Sequence, residues 1–121
     1  MTQGDNILEL VNKLFEKVGF HESESKIYAL LVEKKTSLSI REISEELGLS
    51  VRTVRERVRS LCRKNLLKRE IVEKKWLEYK YRARSPREVW TIIKKKIERA
   101  IEEIDNELST SQQREKKEDV K

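Results

Sequence analysis

Between Ser50 and Arg59 the chain reads SVRTVRERVR, a decapeptide that sets hydroxyls and guanidinium groups at close spacing. Val54, Val58 and Leu61 are spaced four and three apart, so in a helix they share one face. Arg52, Thr53, Arg55, Glu56, Arg57 and Arg59 then fall off that face. Guanidinium groups so placed can make paired hydrogen bonds to guanine edges or to phosphate oxygens. Ser50 and Thr53 fall at the start of such a helix, where hydroxyls and free N–H groups suit a phosphate. Glu56 can read a cytosine or pair with Arg52 or Arg59 along the helix, and pairing is the simpler outcome. A charge run is often only a solvated face. Four arginines crowded on one exposed face repel one another unless a counter-charge arrives, which favours contact with a polyanion.

Other chemistry finds little support. There is no phosphate loop, nucleophile elbow or HExxH, and His21 is the only histidine that could serve as a base near neutral pH, so no enzyme is expected. His21 and Cys62 alone do not make a metal site, and no cofactor is implied. Cys62 is the single cysteine and excludes an internal disulfide, which fits a reducing compartment. It could sense redox state, but a lone cysteine near a helix end is more often a small packed residue.

Charge distribution locates the polyanion. The net charge of +6 is carried almost wholly by one window: residues 1–51 sum to −3, residues 52–87 to +10 and residues 88–121 to −1. With 36% hydrophobic and 41% charged residues among 121, the chain can build one small core, and elongated elements or a core shared between two copies are expected. No apolar run approaches the roughly 18 residues that span a bilayer. The first residues, MTQGDN, lack the basic-then-apolar order of a secretion signal, so a cytoplasmic location is expected.

The elements that position the arginines follow from period and punctuation. Ile7, Leu8, Val11, Leu14, Phe15 and Val18 predict a helix over Asp5–Val18, closed by Gly19. A second helix is expected from a Ser23 cap to about Lys35, carrying Ile27, Tyr28, Leu30 and Leu31. Ser39 and Glu42 stand in capping-box spacing for a short third helix with Ile43 and Leu47, closed by Gly48. A fourth runs from Val51 to about Lys64, with Asn65 at its C-terminal cap. The period then changes to two, predicting strands over Leu67–Val72 and Glu78–Ala83 around a Glu73–Leu77 tip. Tyr79, Tyr81 and Ala83 share a face, and the two tyrosines are expected in the core under the hairpin. Ser85, Pro86 and Glu88 start a last helix. On it Trp90, Ile93, Ile97, Ala100 and Ile104 step by 3, 4, 3 and 4, followed by Leu108, the seam of a two-stranded coiled coil. Trp90 is expected as an interface anchor rather than part of a ligand pocket. Val89, Ile92 and Ile101 widen the stripe enough for it to pack on the domain as well. From Ser109 the sequence is polar without apolar period and is expected to be disordered.

The segment LGLSVRTVRERVRSLCRKNLL, with a capped helix before it and a basic hairpin after it, resembles the winged helix-turn-helix of archaeal TrmB-type and MarR-type transcription regulators. GFHESESKIYALLVEKK and YKYRARSPREVWTIIKKKIERAIEEIDNEL extend the TrmB-like resemblance over roughly Gly19 to Leu108. The fold this implies is mainly α with a small β-hairpin wing. Residues 1–18 would be a flanking helix, 19–84 the DNA-binding domain, 85–108 a coiled-coil dimerisation helix and 109–121 a disordered tail. The resemblance implies a recognition helix from Ser50, bearing Arg52, Thr53, Arg55, Glu56, Arg57 and Arg59. Ser39 and Arg41 on the bracing helix would join the DNA-contacting set. Lys68, Arg69, Lys74 and Lys75 would form a wing reaching phosphates or the minor groove, with Trp76 packing on the dimer or touching sugar or bases. Larger TrmB-like proteins continue into a sugar-binding domain; this chain ends at Lys121, so no small-molecule effector is implied. The expected partner is double-stranded DNA at an inverted repeat, bound by a homodimer joined through Trp90, Ile93, Ile97, Ala100, Ile104 and Leu108. A protein–protein adaptor and a non-specific chromatin or RNA binder are the competing readings.

Overall fold

A computed structural model describes residues 3–73 and 76–119, with side chains at 8–73 and 76–111. It divides into two units at Trp90. The first helix, α1 (Gln3–Lys17), buries Val11 and Phe15 and ends where Gly19 adopts a φ of 81°. That left-handed turn lets the Phe20 N–H donate to the Phe15 carbonyl at 2.9 Å and brings the two rings to 4.4 Å.

Helix α2 (Glu22–Lys34) is capped at His21 rather than Ser23. The reason is Glu24, whose carboxylate turns back to accept the His21 N–H at 3.2 Å and so pulls the helix start forward. Ile27, Tyr28 and Leu31 of α2 are fully buried. The helix stops at Lys35, a non-glycine residue in the left-handed region with φ 56°.

Helix α3 (Ile40–Leu47) carries the expected capping box: the Glu42 N–H donates to Ser39 Oγ at 3.2 Å, and the Ser39 N–H to Glu42 Oε1 at 3.0 Å. Gly48 closes it at φ 66°. Ser44 Oγ donates to the Leu49 carbonyl, which ties the turn to the helix it leaves. Helix α4 (Val51–Arg63) follows at once, and Asn65 with φ 64° redirects the chain.

Strands β1 (Leu67–Glu73) and β2 (Leu77–Ala83) pair antiparallel, with Leu67 opposite Ala83, Arg69 opposite Tyr81 and Ile71 opposite Tyr79. The period-two pattern does not foretell that the outer edge of β2 is also occupied. Leu38 exchanges both backbone hydrogen bonds with Tyr81, at 2.9 and 2.8 Å. The hairpin is thereby stitched to the segment leading into α3. Only Tyr81 of the two tyrosines is core; Tyr79 is 45% exposed. Tyr79 lies two residues nearer the hairpin tip than Tyr81, and its ring takes the Arg69 guanidinium as its neighbour instead of the core.

Helix α5 (Pro86–Asp119) begins as expected, with Ser85 Oγ accepting the Glu88 N–H at 3.2 Å. The Glu88 carboxylate lies 3.5 Å from the Arg84 guanidinium. Val89 is fully buried. Residues 91–119 are one helix, on which Ile97, Ala100, Ile101, Ile104 and Leu108 are exposed. The backbone stays helical through Asp119, past the Leu108 limit expected for it. Gln, Arg, Glu and Lys are good helix formers, so helical backbone there does not require an apolar stripe.

Candidate nucleic-acid interface

The site is built on α4. Val54, Val58 and Leu61 are each at most 1% exposed and clamp one side of the helix. At 3.6 residues per turn, Arg52, Arg55, Glu56, Arg59 and Arg63 then fall within one outward sector, and all five are exposed. Arg52, 88% exposed at its side chain, lies 3.6 Å from Glu56, the pairing along the helix surface that the spacing favoured. Arg55 and Arg59 project into solvent.

Arg57 departs from this set. It stands three residues from Val54 and four from Leu61, so it flanks the buried stripe, and its Nε donates to Ser23 Oγ at 2.9 Å. The charge that looked available is taken up in bracing α4 against α2. Arg63 is the member that sequence reasoning left out, although it follows Arg59 by four residues.

The N-terminal hydroxyls are engaged with each other. Ser50 Oγ accepts the Thr53 N–H at 3.0 Å and its O–H donates to Thr53 Oγ1 at 2.8 Å. Ser39 is buried, and its hydroxyl accepts in the cap of α3; Arg41 on the same helix is exposed. On the hairpin, Lys68 is exposed, and Arg69 stacks on the Tyr79 ring at 4.6 Å. Lys74 and Lys75 lie outside the described residues. Trp76 beside them is 72% exposed.

An ion pair between a buried carboxylate and a half-buried lysine holds the arrangement from behind. Glu24, 1% exposed, accepts from Lys64 Nζ at 2.9 Å, from Ser60 Oγ at 3.1 Å and from the His21 N–H. Burial pushes its carboxyl up, but the Lys64 hydrogen bond and charge, with the His21 and Ser60 hydrogen bonds, outweigh it and hold the carboxyl below its ordinary value. Lys64 also sits 3.9 Å from the centre of the Phe20 ring. Glu42 is lowered too, chiefly by the Ser39 backbone N–H, with Lys80 at 3.3 Å assisting. No sequence motif marks the Glu24–Lys64 pair, because its members are forty residues apart.

Of the expected dimer residues, Trp90 is 49% exposed and lines an apolar cavity of about 530 Å³ with Leu10, Leu14 and Pro86. Ile93 is 5% exposed, whereas Ile97, Ala100, Ile104 and Leu108 are open.

A tri-helical core, a tight turn into an arginine-bearing helix and a hairpin stitched beside it define a winged helix-turn-helix. The family model for the sugar-specific transcriptional regulator TrmB matches residues 14–87. The chain belongs to that family of transcription regulators. No curated protein sequence matches it at a significant level. Among solved structures, a possible transcriptional regulator from Methanosarcina mazei Go1 superimposes with a TM-score of 0.66 at 17% identity, over 89% of this chain and 88% of that one. A MepR mutant of S. aureus bound to an oligodeoxyribonucleotide gives 0.55 at 16% identity, over 97% and 91%. The S. aureus MepR–DNA complex gives 0.52 at 17% identity, over 88% and 86%. At these identities the likeness is one of fold.

Proposed function

We propose that this protein is a homodimeric regulator that binds double-stranded DNA sequence-specifically in the cytoplasm. The observation that carries the reading is the outward sector of α4, where Arg52, Arg55, Glu56, Arg59 and Arg63 stand on a helix fixed by a fully buried stripe. A helix fits the major groove, about 12 Å wide, and paired guanidinium contacts there discriminate guanine. Two solved relatives in fold are described as DNA complexes, which supports the same use of this scaffold. Lys68 and Arg69 extend the basic surface along the wing.

Dimerisation is carried by α5, whose exposed Ile97, Ala100, Ile101, Ile104 and Leu108 repeat on one face. Four large aliphatic side chains in line on an otherwise charged helix are covered when two copies pair. Two-fold symmetry makes the operator an inverted repeat, with half-sites about 34 Å or a multiple apart. The experiment is selection of bound duplexes from a random pool by the full chain. Enrichment of a palindromic consensus is expected; recovery of unselected sequences would instead mark a non-specific binder.

The same α5 stripe favours one second reading, an adaptor that pairs with a different chain. In that case the purified protein sediments as a monomer, and replacing Arg52 and Arg55 with Ala leaves its activity intact.

A further inference from the structure

The two faces of the hairpin differ in how far their patterns run. On one, Lys68, Glu70, Glu78, Lys80 and Arg82 leave Val72 as the single apolar member, as a solvated face should. The other pairs Leu67 with Ala83, Arg69 with Tyr81, Ile71 with Tyr79 and Glu73 with Leu77. At its base this second row is core, with Leu67 4% and Tyr81 9% exposed. Toward the tip the row stays apolar although the core has ended. Tyr79 is 45%, Ile71 62% and Leu77 63% exposed, and Trp76, just before β2, is 72% exposed. A row that met only water has no reason to keep four large apolar side chains together. Such a contiguous patch marks a surface that something else covers.

Charge says what covers it. Residues 67–83 hold six lysines and arginines against three glutamates, a net +3, and Arg69 lies against the Tyr79 ring at 4.6 Å. A second copy would bring the same positive charge, so a contact between two tips is repelled. A nucleic acid instead offers phosphates around an apolar stack of bases. A charged tip can follow a groove by pairing with phosphates and leave that stack intact. An apolar tip leaves water by entering between bases. We propose that Trp76 and Leu77 form a wedge that opens a base step and kinks the operator, one kink for each protomer. The Trp76 ring replaces part of the stacking that the opened step gives up, while Ile71 and Tyr79 rest on the deoxyriboses beside it. The operator is then read partly through its stiffness. A pyrimidine–purine step, which unstacks most readily, belongs where the tip falls, outside the bases that α4 meets. This rests on the reading that α4 enters the major groove of a duplex.

The test reads the shape of the duplex as well as its affinity. A selected operator is labelled at both ends for energy transfer and carries, at the step facing the tip, a fluorescent base analogue that brightens on unstacking. Binding of the full chain should brighten the analogue and bring the ends together by a bend of about 20–90° at each wing. Trp76→Ser with Leu77→Ser alters only exposed side chains, so circular dichroism should find its fold intact. That variant should keep the salt slope of binding but bind about tenfold more weakly, to a straight and stacked duplex. Trp76→Phe should keep both the bend and the brightening. Replacing the pyrimidine–purine step with a stiff A-tract should cost the parent protein about tenfold and leave the double variant indifferent. Tight binding of the parent protein to a straight duplex overturns the wedge while leaving the DNA-binding reading intact. An unchanged bend in the double variant also overturns it. Cosedimentation with anionic phospholipid vesicles that the double variant loses reassigns the row to a lipid surface and overturns it too. Absence of any duplex binding overturns both readings.

Discussion

Side chains of the same type have divided their work according to what lies beneath them. Arg57 braces α4 through Ser23, while Arg55, two residues before it, is exposed and makes no ion pair among the described residues. Arg55→Ala should weaken binding to the selected operator by about 1–3 kcal/mol and relax preference at one base position. Titration against operators mutated singly at each position checks this; a uniform loss across all of them assigns Arg55 to a phosphate. The Glu24–Lys64 pair predicts a stability effect with a definite sign. Both Glu24 and Glu42 have folded values below the ordinary 4.5, so the stability they contribute is present above about pH 4.5 and is lost as pH falls through the lower folded values. Glu24→Gln should cost about 1.5–3 kcal/mol near neutrality, since hydrogen bonds to a charged group are weakened while the site stays filled. Urea midpoints measured down to acid pH should fall less steeply for the variant than for the parent protein.

Helices and turns set where those side chains stand. The α3–α4 turn depends on Gly48, whose φ of 66° costs an L-residue strain even though an added Cβ would meet nothing within 4 Å. Gly48→Ala should therefore destabilise through the backbone alone, by about 1–2 kcal/mol, read as a shift in the thermal midpoint. In the proposed homodimer the apolar stripe of α5 is the contact between the two copies. Ile97→Glu would bury a carboxylate at a helix pair, and the variant should sediment as a monomer. Unchanged sedimentation would remove α5 from the dimer contact. Because Ile97 is already 37% exposed in the single chain, the substitution should leave the monomer fold intact by circular dichroism.

Charge is segregated along the chain as well as around α4. Residues 52–87, which sum to +10, span α4 and both strands, so the excess lies on the elements a duplex would meet. If the two protomers neutralise about six to ten phosphates together, affinity should fall by about 10³–10⁵ between 50 and 200 mM salt. A plot of log affinity against log salt measures this, and a flat line would argue against a phosphate-led contact.

Local signals were legible wherever one short stretch carries its own physics. The Ser39–Glu42 box, the Gly48 closure, the three-residue buried stripe of α4 and the Ser85-Pro86 start all depend on neighbours within a turn or two, and the structure places each as read. The winged helix-turn-helix itself was implied by the resemblance of LGLSVRTVRERVRSLCRKNLL, with those elements in order around it, to TrmB-type and MarR-type regulators. What it could not reach were contacts between segments far apart in the chain. Glu24 moved the α2 cap to His21 and took Lys64 as its partner; Ser23 withdrew Arg57 from the outward face; Leu38 claimed the edge of β2; and Tyr79 took Arg69 as its neighbour in place of the core. Periodicity states which face a side chain occupies, but only the packed neighbours decide whether that face is supported, engaged or free, because hydrogen bonds and burial depend on distance in space and not along the chain.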